Sequence, residues 1–287
     1  MHKFKRGLFL FLAIFLSSCS GGKILENGAA NPLQTFNIEK EFSQFQERPI
    51  EQKTELFATE KKTEIPTPVK NNKVAKLPLI QKKQILPAPA PASDTIAVDK
   101  PLYPKDLPEE FITLSKRYQD LWPSFSPRFP DNEVINLKVK FLGMTVGHFL
   151  LKVMPKVMMG NRMAYVFKGH LKSESYYEML YKLDDIVESY VDAESFVPIK
   201  FLLTQRESNK LLDELHLFDL DKFTFNYWYK RVKGGQTKEH QLNGFLPKYF
   251  QDFLSSIYFL RGLPLKTGDH YEFPSFNKGK ITISKVN

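Results

Sequence analysis

Three carboxylates in the stretch "LDDIVESYVDAE", Asp184, Glu188 and Asp192, alternate with apolar residues at the spacing of one strand face. A pair of carboxylates about 5–10 Å apart is the apparatus of glycoside hydrolysis. Residues four apart on a strand are separated by roughly 13 Å, so a working pair requires a neighbouring strand. The blander expectation is a solvated strand face with Asp192 closing a turn. The six histidines, His2, His148, His170, His216, His240 and His270, are nowhere paired at metal-ligand spacing, and there is no His-Glu-x-x-His helix, Gly-x-Ser-x-Gly elbow or phosphate-cradling glycine loop. A single cysteine, Cys19, excludes intramolecular disulfides and Cys-based zinc sites. The sequence therefore predicts no metal, no cofactor and no catalytic constellation.

The position of that cysteine carries more information than its number. Lys3, Lys5 and Arg6 precede an apolar run from Leu8 to Leu16, followed by Leu16-Ser17-Ser18-Cys19. This is a secretory signal pattern, too short for a permanent spanning helix. The four residues closing it resemble the lipobox of bacterial lipoproteins. That resemblance implies cleavage before Cys19, acylation of Cys19 as the mature N-terminus, and a lipid anchor in the cell envelope. Ser20 in the following position implies outer-membrane sorting, facing the periplasm. An ordinary cleaved signal with an incidental cysteine, or a short signal anchor, is the alternative. Two or three acyl chains, at roughly 0.8 kcal/mol per buried methylene, anchor a protein almost permanently.

The elements behind these residues fall into four zones: signal 1–18, tether 19–105, lead-in 106–129 and a β domain 130–287. The tether is dominated by Lys, Glu, Gln, Asn, Pro and Ala and closes near "PAPAPAS". It lacks the apolar surface to offset its ordering entropy and is read as disordered. About 80 flexible residues reach on the order of 50 Å. The formal charge is +9, but from Pro130 onward there are 22 Lys and Arg against 18 Asp and Glu, so the excess is spread out and nucleic acid is not an expected partner. Anionic envelope polymers suit such a charge better.

In "LPEEFITLSKRY" Pro108 is expected at the first helical position, with Phe111, Leu114 and Tyr118 on one face. Pro123, Pro127 and Pro130 then break the helix. After Pro130 the period becomes two, and strands are predicted around 135–141, 148–153, 162–171, 183–191, 198–207, 214–220 and 222–231, with two closing strands at "HYEF" and "KITISKV". Short strands without βαβ spacing predict a mainly β fold: an antiparallel meander forming an open or half-closed barrel with one packed α-helix. That helix is "PKYFQDFLSSIYFLRG", with Phe250, Phe253, Leu254, Ile257 and Tyr258 at helical spacing, Asp252 early, Arg261 in the last turn and Gly262 as its C-terminal cap. Capping and dipole compensation by Asp252 and Arg261 compete with ligand binding. Trp228, on the face of "KFTFNYWYKR" opposite Phe225, Tyr227 and Tyr229, is expected on a groove rim or covering an edge.

"QDFLSSIYFLRGLPLKTGD" resembles the signature of the bacterial domain-of-unknown-function family 3108, matched by Asp252, Ser255, Tyr258, Arg261, Pro264, Leu265 and Gly268. "FLGMTVGHFLLKV" resembles that family's early strand pair, and "ESYVDAESFVPIKF" its Ser-x-x-Asp…Pro element around Asp192 and Pro198. The resemblance covers about Asn136 to Val286 and implies a mostly β domain with no assigned activity. Asp192, Asp252, Tyr258 and Arg261 are thus the candidate ligand-binding or structural residues. The leading functional expectation is a non-enzymatic envelope lipoprotein that binds lipid, glycan or an envelope partner protein. A carboxylate-based hydrolase of peptidoglycan or polysaccharide is the alternative, and a structural spacer the second.

Overall fold

The computed structural model describes residues 40–50 and 102–286. The signal, Cys19 and most of the tether lie outside the described residues. Lys40–Ile50 and Tyr103–Val286 belong to one compact unit.

The fold is an antiparallel meander, as the period-two pattern requires. Strands β1 (Glu47–Pro49), β2 (Val134–Phe141), β3 (Met144–Met159), β4 (Arg162–Ser173), β5 (Leu183–Asp192), β6 (Pro198–Glu207), β7 (Lys210–Asp219), β8 (Thr224–Lys233) and β9 (Gln236–Phe245) make one nine-stranded sheet that does not close. From β3 to β9 each strand pairs with its successor. The long β3 shares one edge between two partners, β2 along Met144–Lys152 and β1 along Val157–Met159. Pro155, which has no N–H to donate, falls in the gap between them, where the β3–β4 register also shifts. A separate hairpin, β10 (Tyr271–Asn277) with β11 (Lys280–Val286), completes the strands.

Helix α1 (Glu109–Tyr118) begins one residue later than its sequence suggests, with Pro108 at the N-cap. A short α2 (Ser175–Glu178) joins β4 to β5. Helix α3 (Phe253–Gly262) lies on the inner face of the sheet, its Leu254, Tyr258 and Phe259 fully buried. The Pro-rich loop after α1 fills the space around it: Trp122 packs at 4.6 Å from Phe259, Phe125 at 4.1 Å from Phe196, and Phe129 edge-on to Phe167 and Tyr258. Gly262 is the last helical residue rather than a cap beyond the helix. Any side chain there would collide with the Phe125 ring, so close approach explains the glycine.

Two strands were not legible in the sequence. β9 is polar and exposed along most of its length, an edge strand held by its backbone ladder to β8. β1 and the 3₁₀ turn Lys40–Phe45 fall inside the stretch read as disordered tether. They are held because Phe45 buries its ring on the outer face of the sheet and Phe42 meets Trp228 edge-on at 5.3 Å. Trp228 accordingly seats this segment.

Candidate functional site

Asp252 is the N-cap of α3 and closes a capping box. Its Oδ1 accepts from the Ser255 N–H at 2.7 Å, while its own N–H donates to Ser255 Oγ at 2.9 Å. Its second oxygen accepts from Ser189 Oγ on β5 at 2.5 Å. Helix start and sheet are thereby tied through one carboxylate that is 1 % exposed. Burial raises its pKa, opposed by the Ser189 and Ser255 hydrogen bonds and by the nearby His216.

In the last turn of the same helix, Arg261 forms a two-pronged pair with Glu133 at 2.5 and 2.8 Å and donates to the Arg128 carbonyl at 3.3 Å. The Arg261 hydrogen bonds lower the Glu133 pKa. This pair clasps the loop ahead of β2 against α3. Between the two ends, the Tyr258 ring stacks on Phe167 with centroids 3.9 Å apart, and burial beside Glu133 pushes its hydroxyl up to about 12. Asp252, Tyr258 and Arg261 therefore fasten one helix to the domain.

Asp192 lies apart from them, at the β5–β6 turn. Its Oδ2 accepts from the Ser195 N–H at 2.9 Å and from Ser195 Oγ at 2.6 Å, and Arg162 stands 3.7 Å from its other oxygen while bonding Asp221 at 2.7 Å. It borders an open depression of about 430 Å³ with Asn161, Arg162, Met163 and Glu194. The other carboxylates of the hydrolase expectation are held singly: Asp184 by His170 at 2.6 Å, Glu188 by Lys168 at 2.9 Å. Asp184 and Glu188 share the outer face of β5, whereas Asp252 caps a helix on the inner one. Of these four carboxylates, only Asp192 lines that depression.

A different polar group is buried on the inner face. Glu214 and His216, two apart on β7, lie 3.3 Å from each other, and Tyr227 stands opposite His216 in the β7–β8 register. All three are almost wholly buried, and Glu214 Oε1, His216 Nδ1 and the Tyr227 hydroxyl have no hydrogen-bond partner among the described residues. Burial, with the Glu214 carboxylate beside it, raises the Tyr227 pKa. The sequence signal was present in "ELHL", where a charged residue and a histidine occupy the face that an apolar strand turns inward. Among the described residues no group of three or more His, Cys, Asp or Glu is placed to hold a metal. No helix among them is long and apolar enough to cross a membrane.

In comparisons with known proteins, the model of one family, described as "Protein of unknown function (DUF3108)", matches residues 136–286. No curated protein and no solved structure matches. The matched span contains Ser189, Asp192, Asp252, Tyr258 and Arg261, whereas Trp122, Phe125 and Phe129, which complete the core, precede it.

Proposed function

The chain belongs to the DUF3108 family of proteins of unknown function, and from that premise, which brings no activity with it, we propose that it is an envelope lipoprotein anchored through acylated Cys19. Its β domain is a non-enzymatic binding module working on the periplasmic side of the outer membrane. The observation that carries this reading is the ordered series of basic residues, apolar run and Leu16-Ser17-Ser18-Cys19, with Cys19 the only cysteine of the chain. The geometry adds support for the binding role. The space between sheet and α3 is filled by aromatic rings, which favours a ligand held on the surface over one held inside. The carboxylates that a hydrolase would use are separately engaged.

Mass spectrometry of the protein purified from bacterial membranes tests the anchor. The expected product lacks residues 1–18 and carries a diacylglyceryl group on Cys19, and Cys19→Ser retains the leader and takes up no labelled palmitate. An unmodified Cys19 in the membrane-extracted protein overturns the reading.

A further inference from the structure

Among the described residues, the three most exposed large apolar side chains are Met179 at 92 %, Leu142 at 83 % and Leu180 at 76 %. Single exposed apolar residues are ordinary on protein surfaces, but these belong to two loops at one end of the sheet. Leu142 is at the tip of the β2–β3 hairpin between the exposed Phe141 and Met144; Met179 and Leu180 follow α2. The loops touch: the Tyr176 hydroxyl of α2 donates to the Thr145 carbonyl, and the Glu174 N–H to that of Val146 at 2.9 Å.

The hairpin tip is also built against its own backbone preference. Leu142 has φ +49° and Gly143 φ +85°, a two-residue turn whose first position ordinarily takes Asn, Asp or Gly. A leucine there is strained and gains no burial within the domain.

Around the apolar tips the charge is basic. Lys138, Lys140, Lys172 and Lys182 are exposed, and none forms an ion pair with a described residue. The acids near the tips are Glu174, engaged by His148 at 2.7 Å, Glu178, and Asp184, which stands opposite Lys172 between β4 and β5 and is engaged by His170 at 2.6 Å. The opposite end of the sheet presents Asp192, Glu194, Asp219 and Asp221 at its turns, with Arg162 and Lys222 bonded to them. Apolar tips ringed by lysine match a bilayer surface whose headgroups are anionic and whose acyl region begins a few ångström below.

We propose that this end of the β domain docks on an anionic phospholipid membrane, with the tips of the β2–β3 and β4–β5 loops entering the interface. The proposal deepens the envelope reading, which supplies the membrane, yet it requires no acyl group. The full chain with Cys19→Ser and Leu142→Cys is labelled with an environment-sensitive fluorophore and mixed with vesicles of phosphatidylethanolamine and phosphatidylglycerol. A blue shift with several-fold brightening is expected, absent with phosphatidylcholine alone, and absent when the label is carried at Glu194→Cys instead. Lys140→Glu with Lys172→Glu weakens vesicle binding by about tenfold or more at low salt. Leu142→Asn with Met179→Ser keeps the fold, because asparagine suits the turn, and loses the interfacial contact.

No change at position 142 overturns the proposal, as does an equal change at position 194. A change driven by protein concentration without vesicles assigns the patch to a second copy and also overturns it. Since the labelled chain carries no acyl group, an unmodified Cys19 in the membrane-extracted protein leaves this result intact.

Discussion

The two faces of the sheet are made by the same strands and solve opposite problems. On β5, Asp184 and Glu188 point outward and find His170 and Lys168 across the strand, partly wet and separately paired. One residue over, Asp185 and Ser189 point inward, where Asp185 accepts from Gln205 at 2.8 Å and from the Arg206 N–H at 3.1 Å, and Ser189 bonds Asp252. Burial, with the Glu207 charge nearby, pushes the Asp185 pKa up to about 7. Outside, a carboxylate meets a basic side chain at the surface; inside, it caps a helix or holds its proton more tightly. The outer face has one dry area of its own, where Phe45 covers Lys200. That ammonium is 2 % exposed, donates to the Phe45 carbonyl at 3.3 Å and lies over the Tyr190 ring at 4.9 Å. Burial lowers its pKa. The outer face thus repeats the inner solution wherever a segment covers it.

The contrast is broken most severely by opening the inner face. Tyr258→Ala removes a fully buried ring stacked on Phe167 and is expected to cost about 3–5 kcal/mol, read as a lowered midpoint in chemical denaturation. A loss below about 1 kcal/mol would mean that the inner face is not the packed one.

Asp185 sharpens the comparison through pH. Its folded pKa of about 7 lies above the unfolded value near 3.9. Its contribution is therefore fully present below about pH 4 and fades as pH rises to 7, where the buried charge opposes folding. Asp185→Asn removes that slope. The melting temperature of the variant should gain on the parent between pH 4.5 and pH 8, by no more than a few kcal/mol in stability. Parallel curves would place Asp185 in an outer-face environment.

The smallest effect belongs to the outer ladder. Lys168→Ala breaks the 2.9 Å pair with Glu188, whose carboxylate still accepts from the Tyr190 hydroxyl at 3.0 Å. A change below about 1 kcal/mol, vanishing in high salt, is expected from denaturation midpoints.

Most strands and the helices α1 and α3 are legible in the sequence because they rest on local periodicity. "INLKVKF" alternates whatever it pairs with, and "DFLSSIYFLRG" presents one apolar stripe. β9 escaped because its backbone ladder, rather than its side chains, holds it. Phe42 and Phe45 escaped because two aromatic residues in a polar tract leave no period. The roles of Asp252 and Arg261 were open between capping and ligand binding. Their partners, Ser189 and Glu133, are 63 and 128 residues away, and those bonds supply the cap's second contact and the clasp.

The residues alone determined the alternation of the strands, the helix α3 and the position of the solitary Cys19 behind an apolar run, since periodicity and segment length act within a few neighbours. Only the tertiary structure decided which carboxylates meet cations and which are buried, that Glu214, His216 and Tyr227 converge, and that two apolar loop tips share one end of the sheet. Those facts depend on register between strands distant in sequence. A shift of one residue in that register would turn every side chain of the shifted strand to the other face.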